Sequence, residues 1–153
     1  MPTSLLFTGH MVDKPDRPVP RFPSSSEAAA QQRIAQAIFP FGVGRSKRGE
    51  PVQGFASAAR GGDILFHEQC RSQGIATIII LPFPPDVFAS TSVAGVPTGA
   101  WEQRSRARQS SLRLSLAKAF VGTRMKTRAD MLAASPCKAS GNRSGYVIVT
   151  MSA

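Results

Sequence analysis

Apolar positions along the chain alternate between short runs and helical periodicities, which is the pattern of an α/β protein. Residues 4–8 and 52–57 are short apolar runs that end in small or turn-forming residues. Residues 64–73 space their apolar positions at helical intervals, and Gly74 follows where a helix-ending glycine is common. Residues 75–81 are almost continuously apolar and β-branched, which is typical of a parallel strand buried on both faces. The order strand, helix, strand predicts a βαβ unit.

A second helix is predicted over residues 25–38, between the first two strands. Ser24 and Glu27 have the spacing of a capping box, and Ala30, Ile34, Ala37 and Ile38 form its apolar stripe. We therefore expect residues 5–8, 53–56 and 77–81 to be neighbouring strands of one sheet. The fold class is α/β and Rossmann-like, a parallel sheet flanked by helices that is truncated or altered after about residue 95.

Charge divides the chain at the same point. The 153 residues carry a net charge of +10, but residues 1–95 hold nine basic and seven acidic side chains, a net +2. Residues 96–153 hold the remaining ten basic residues against two acids, a net +8. We interpret residues 1–95 as a nucleotide-recognition domain and residues 96–153 as a basic Ser/Arg-rich tail.

Two interpretations of the tail are open. Residues 101–120 could form a basic helix with Leu112, Leu116 and Phe120 on one face, packing on the sheet or contacting nucleic acid, and residues 146–151 could add a strand. Alternatively, the abrupt change to acid-poor sequence is what a shifted reading frame in a GC-rich gene produces. A genuine tail predicts that Trp101 is buried against the sheet, whereas a shifted frame predicts loose contacts and exposed apolar surface.

The sequence predicts a cytoplasmic protein without a membrane span. No apolar run approaches the roughly 18 residues that a bilayer requires, and the N-terminus lacks the basic region of a secretory signal. Two cysteines, Cys70 and Cys137, do not make a disulfide framework. His67 and Cys70 are three residues apart, a weak metal signal without further ligands, so neither a metal nor a cofactor is predicted.

Candidate binding residues lie where the first two strands end. Gly61 and Gly62 form a turn that leads directly into a helix, where unpaired N–H groups and a partial positive charge favour anions. Asp63 is a candidate cap of that helix. The competing interpretation is that the glycines only make a tight turn. Gly9 and His10 follow the first strand and should reach the same sheet edge, and Arg21 lies in a proline-rich loop over residues 11–23.

Three motifs carry a resemblance to a known family. They are FTGH at residues 7–10, ASAARGGD at 56–63, and GI followed by LPF within 74–83. This pattern resembles the SLOG superfamily, which includes the DNA-processing protein family and the cytokinin-activating phosphoribohydrolases. GHMVD, RFP and GGDILF are also similar to a module linked to tetratricopeptide or cyclase domains in bacterial signalling proteins. The likeness covers residues 4–93.

The resemblance implies a module of a bacterial signalling protein that binds a nucleotide-like ligand and has no enzymatic activity or only weak activity. It implies that the turn formed by Gly61 and Gly62, at the N-terminus of the following helix, binds a phosphate, with Arg60 as a charge-assisted hydrogen-bond donor. The chain lacks the PGGxGTxxE motif of the phosphoribohydrolases, but a nucleotide N-glycosidase using Asp63 or Glu68 is an alternative, as is nucleic-acid binding through the tail. The predicted ligand-binding residues are Gly9, His10, Arg21, Ser57, Arg60, Gly61, Gly62 and Asp63.

Overall fold

The protein folds around a parallel β-sheet. The computed structural model describes residues 3–42, 51–111, 114–116 and 145–150, with side chains described for 3–42 and 51–110. The strand order is β4-β3-β2-β1-β5, and every pairing is parallel. The five strands are β1 Thr3–Thr8, β2 Val52–Ala56, β3 Ala76–Leu81, β4 Leu114–Leu116 and β5 Gly145–Thr150. The predicted α/β class and the three central neighbours are confirmed.

Helices connect the strands and form a layer on one face of the sheet. They are α1 Glu27–Ile38, α2 Gly62–Ser72, α3 Pro85–Phe88, a π-helical turn at Ala89–Val93, and α4 Trp101–Ser111. Helix α1 packs against α2, and α4 packs against both α2 and the π-helical turn. Helices α1 and α2 therefore lie on the same face of the sheet. The chain steps in one direction from β1 to β3, so right-handed crossovers put both helices on the same side.

The core lies between this helical layer and the sheet. Leu5 and Phe7 point inward from β1 because strand side chains alternate, and both are buried. The Phe7 ring stacks on Phe66 of α2 with 4.8 Å between ring centroids. Gly54 of β2 lies beneath Phe66, and a Cβ there would come within 2.9 Å of that ring. The small residue in β2 therefore sets how closely α2 approaches the sheet.

Helices α1 and α2 both begin at a different residue from the one predicted from the sequence. The capping box of Ser24 and Glu27 does not form, because residues Ser24–Ser26 make a 3-10 turn and Ser26 is the N-cap of α1 without a side-chain bond. The Glu27 carboxylate instead accepts a hydrogen bond from Arg104, at 2.7 Å. Helix α2 starts two residues earlier than predicted, at Gly62 rather than at residue 64, and its N-cap is Gly61, so Asp63 is not the cap.

The helix-ending role of Gly74 is confirmed. Gly74 has a φ of +71°, and the Ile75 N–H donates to the Cys70 carbonyl at 2.8 Å while the Gly74 N–H donates to Arg71 at 3.1 Å. These are the two bonds of a Schellman motif. They end α2 and send the chain straight into β3.

Residues beyond the predicted boundary at residue 95 share the core of the residues before it. Trp101 is 1% exposed and belongs to the central hydrophobic cluster. Its helix, α4, packs on α2 and on the π-helical turn. Ser105 donates to the Ala58 carbonyl at 3.1 Å. The first part of the tail is therefore continuous with the domain.

The long basic helix predicted over residues 101–120 is wrong in extent. Helix α4 ends at Ser111, and Leu116 lies in β4. Phe120 falls outside the described residues, and the side chains of Leu112 and Leu116 are also outside them. The strand predicted over residues 146–151 is present as β5, which pairs with β1. Leucine spacing alone cannot distinguish a helix that continues from one that gives way to an edge strand.

Candidate functional site

The strand order reverses at β1, which creates a crevice at the carboxyl edge of the sheet. Strands β2, β3 and β4 follow on one side of β1, and β5 lies on the other, with Thr8 beside Thr150. Open parallel sheets bind ligands at such a reversal. Gly9 and His10 directly follow β1, and Gly9 is exposed while His10 is half-buried. The sequence therefore places both residues at the reversal.

The loop after β1 pairs with the turn after β2. The Gly62 N–H donates to the His10 carbonyl, and the Val12 N–H donates to the Arg60 carbonyl, both at 3.2 Å. Between these bonds, Met11 and Gly61 form an isolated antiparallel bridge. These bonds occupy main-chain groups that a bound phosphate would need. The paired glycines therefore hold the loop after β1.

Gly61 is required by this packing. Its φ is +98°, and a Cβ would lie 2.6 Å from the Val12 nitrogen and 3.0 Å from both the His10 carbonyl oxygen and the Phe22 ring. Two of these neighbours are backbone atoms, which cannot rotate away. The space beside Gly61 is filled by protein rather than open to a ligand. The interpretation of the glycines as a tight turn, which the sequence left open, fits these contacts better than a phosphate cradle.

Arg60 also contacts protein rather than an open surface. It is 5% exposed, and its guanidinium donates to the Val12 carbonyl at 3.1 Å and to the Ala94 carbonyl at 3.2 Å. Burial lowers the pKa of Arg60, an effect that the nearby Asp13 carboxylate partly offsets. The side chain joins the loop after β1 to the residue after the π-helical turn, and these two bonds favour a packing role for Arg60 over the predicted role as a ligand donor.

Ser57 and Asp63 form a polar pair at the start of α2. Ser57 Oγ donates a hydrogen bond to the Asp63 carboxylate, and both residues are half-buried. Burial raises the pKa of Asp63 to about 6, although the hydrogen bonds from Ser57 and from the Ala59 backbone act in the opposite direction. A carboxyl group with this pKa changes its charge near neutral pH.

We expect the stability of the protein to reflect this shift. Because the folded pKa of Asp63 lies above its ordinary value of 3.8, the folded state holds the proton more tightly than the unfolded chain. This contribution is complete below about pH 3.8 and is lost as the pH rises through about 6. Relative to Asp63→Asn, the wild-type free energy of unfolding should fall by at most about 3 kcal/mol from pH 4 to pH 7. Urea unfolding of both proteins at each pH measures this difference, and a difference that stays constant with pH would contradict the raised pKa of Asp63.

His67 supports the same turn from inside the core. It is 1% exposed, and its Nε2 lies 2.7 Å from the Ser57 carbonyl oxygen. Because a carbonyl can only accept, Nε2 carries the proton. Burial lowers the pKa of His67, so the ring is neutral at physiological pH. Ser57, Asp63 and His67 therefore do not form a nucleophile–base pair, since the histidine contacts the backbone of Ser57 and not its hydroxyl.

The structure brings most of the predicted site residues together but separates their roles. Arg60, Gly61 and Gly62 form the packed interior of the turn. Arg21 is exposed, its backbone N–H donates to Asp13, and no contact described for its side chain links it to the turn. The residues that remain at the edge with some exposure are here called the edge cluster: Gly9, His10, Ser57 and Asp63.

An arginine that sequence reasoning missed joins three helices. Arg104 of α4 forms ion pairs with Glu27 of α1 at 2.7 Å and with Glu68 of α2 at 2.6 Å, and its guanidinium lies 4.2 Å from the Trp101 ring centroid. Glu68, one of two predicted hydrolase carboxylates, is thus engaged in helix packing. In the sequence, the spacing of Glu27 from Ser24 indicated a capping box, so Glu27 was not recognised as an ion-pair partner of Arg104.

A second place in the described part of the chain could hold a small ligand. A cavity of about 250 Å³ lies between the π-helical turn and α4, and its volume is somewhat below the usual range for small-molecule sites. The cavity is lined by Asp86, Ala89, Ser90, Val93, Ala94, Glu102, Ser105, Arg106 and Gln109.

Among the described residues, no group of three or more His, Cys, Asp or Glu is arranged to hold a metal ion. None of the described helices is long and apolar enough to cross a bilayer.

Comparison with known proteins adds no relative. The chain matches no protein-family model, no curated protein and no solved structure.

Proposed function

We propose that this protein is a binding module for a nucleotide or nucleotide-derived ligand, held at the edge cluster. The observation that carries the proposal is the reversal of strand order at β1, with exposed Gly9 at the carboxyl edge of the sheet. The resemblance to SLOG domains supports the ligand class and a role in bacterial signalling. A cytoplasmic location belongs to the proposal, because Cys70 is a free thiol in the core.

The chemistry of the edge cluster suits a ligand with both an anionic and a hydroxylated part. Helix α2 begins at Gly62, next to Gly9, so its partial positive charge favours a phosphate nearby. A Cβ at Gly9 would lie 2.7 Å from the Phe7 ring, so the missing side chain serves packing, and the ligand contact falls to the exposed backbone of Gly9 and to His10 as a candidate donor. Ser57 and Asp63 supply a hydroxyl and a carboxylate that can accept from a sugar hydroxyl. The proposed phosphate contact thus moves from the Gly61 turn to the exposed backbone at Gly9 and His10.

Ligand-induced stabilisation tests the proposal. We expect at least one of AMP, GMP, cyclic AMP, cyclic GMP and NAD to raise Tm, because a ligand at 100 times its Kd stabilises by roughly 2.7 kcal/mol. For a chain of this size that corresponds to about 5–10 °C. Ribose 5-phosphate and inorganic phosphate serve as partial ligands. No shift with any nucleotide at millimolar concentration would reject nucleotide binding.

A hydrolase is the second candidate function, favoured by the raised pKa of Asp63, about 6. A carboxyl group that titrates near neutral pH can act as a general acid or base. Within the described residues, Asp63 is the only carboxylate of the edge cluster, so a nucleotide N-glycosidase reaction would depend on it. Release of free base from a nucleoside monophosphate distinguishes this function: Asp63→Asn should abolish turnover while nucleotide binding remains.

A further inference from the structure

The cavity between the π-helical turn and α4, here called the α4 cavity, is a second candidate site that shares no residue with the edge cluster. One of its walls is the π-helical turn Ala89–Val93, which directly follows α3. The Ala94 N–H closes this turn by donating to the Ala89 carbonyl, five residues back, at 2.9 Å. Single π-helical turns next to an α-helix are rare and are frequent at functional sites. This wall therefore directs attention to the space beside it.

Small side chains keep the α4 cavity open. Ala89, Ser90 and Ala94 line it on the side of the π-helical turn, and Ser105 lines it on the side of α4. Larger side chains at these positions would fill the space between the two elements. The volume of about 250 Å³ has room for about eight water molecules at roughly 30 Å³ each. A ligand that fills the cavity is therefore small, with a similar number of non-hydrogen atoms.

The charged side chains around the α4 cavity are acidic in balance, although the whole chain has a net charge of +10. Asp86 of α3 and Glu102 of α4 are the acids that line it, and Arg106 is the base. The Arg106 guanidinium lies 3.8 Å from the Glu102 carboxylate, so these two charges offset each other. Asp86 has no ion-pair partner among the described residues. Its carboxylate is therefore the group that a cationic ligand would neutralise.

The rest of the lining suits a hydrocarbon chain. Val93 is 2% exposed, and with Ala89 and Ala94 it supplies the apolar part of the lining. Burying a hydrocarbon chain there removes apolar surface from water, and an ammonium group at the end of the chain has three hydrogen-bond donors for a carboxylate. We propose that the α4 cavity binds a small aliphatic amine, with its ammonium group on Asp86 and its chain on Val93. The proposal does not depend on the proposed function.

A titration followed by two-dimensional ¹H–¹⁵N NMR of the full chain tests the proposal, with pentylamine as the probe. We expect the amide signals of residues 89–94 and 101–109 to shift and to saturate at millimolar pentylamine. Pentanol and pentanoate have the same chain length without the positive charge. Each should bind at least tenfold more weakly, because neither offers a charged donor to the Asp86 carboxylate.

Three variants locate the site. Asp86→Asn should weaken pentylamine binding at least tenfold, whereas Asp16→Asn, which removes an exposed carboxylate outside the cavity, should leave Kd unchanged. Ala89→Leu fills the cavity without changing any charge and should abolish the saturable shifts. Ala89 is exposed, so this variant should fold, and Tm checks that all three do.

Three outcomes would overturn the proposal. The first is the absence of any saturable shift with millimolar pentylamine. The second is equal affinity for pentylamine and pentanoate, which would mean that the Asp86 carboxylate does not select a cation. The third is an unchanged Kd for pentylamine in Asp86→Asn or in Ala89→Leu, which would place the amine outside the α4 cavity.

Discussion

Replacing Trp101 with alanine should lower the free energy of unfolding by about 3–5 kcal/mol, the usual cost of removing a fully buried aromatic side chain. Trp101 is 1% exposed and belongs to the central hydrophobic cluster. The variant also removes the ring under the Arg104 guanidinium, and this arginine holds α4 to α1 and α2. The expected result is a large loss in the urea midpoint with an unchanged m value.

A matched aromatic control makes this result specific. Phe83 follows β3 and is 52% exposed, so Phe83→Ala should cost less than about 1 kcal/mol. Similar small losses in both variants would mean that residues 96–111 contribute little to the fold. That outcome would restore the boundary at residue 95 and favour a frame-shifted tail. A large loss only in Trp101→Ala would place the start of α4 in the domain.

Gly61→Val should have an effect of similar size, about 3–5 kcal/mol or loss of folding. A valine at a φ of +98° is strained, and its Cβ would lie 2.6 Å from the Val12 nitrogen. Relief requires the loop after β1 to move away from the turn after β2, which would break the bonds between residues 10–12 and 60–62. Urea unfolding monitored by circular dichroism measures the loss.

Gly95→Ala separates the two causes of that loss. Gly95 also has a positive φ, +90°, but a Cβ there would meet only the Lys14 side chain, at 3.4 Å or more. It should therefore show the backbone cost alone, about 1 kcal/mol. Equal losses at both positions would mean that the loop after β1 does not pack on Gly61, and the phosphate cradle would again be possible.

The sequence predicted the parts of the fold that depend on local pattern. The β-branched run of β3 and the glycine after α2 are signals within a few residues, and both were confirmed. The capping box predicted at the start of α1 does not form, and the Glu27 carboxylate pairs instead with Arg104, a residue far along the chain. Such a partner cannot be found from spacing. The end of α4 was missed because a leucine repeat suits both a helix and a short strand.

For the candidate site, the sequence predicted the positions of the residues but not what each of them contacts. The sequence correctly placed Gly9, His10, Ser57 and the glycine pair where β1 and β2 end. It could not distinguish residues that face a ligand from residues that face another loop, because both need small side chains and hydrogen-bond donors. Arg60 illustrates this, since its two described guanidinium bonds end on the carbonyls of Val12 and Ala94.

The division between a ligand-facing edge cluster and a packed turn is the central claim, and calorimetric titration of three proteins tests it. The ligand is the nucleotide that gives the largest thermal shift, and the proteins are wild type, His10→Ala and Arg60→Met. We predict that His10→Ala raises Kd at least about tenfold, a loss of about 1.4 kcal/mol, with little change in Tm. Arg60→Met should lower Tm and leave Kd within about threefold at a temperature where it is folded. An unchanged Kd in His10→Ala together with a tenfold weaker Kd in Arg60→Met would contradict the claim.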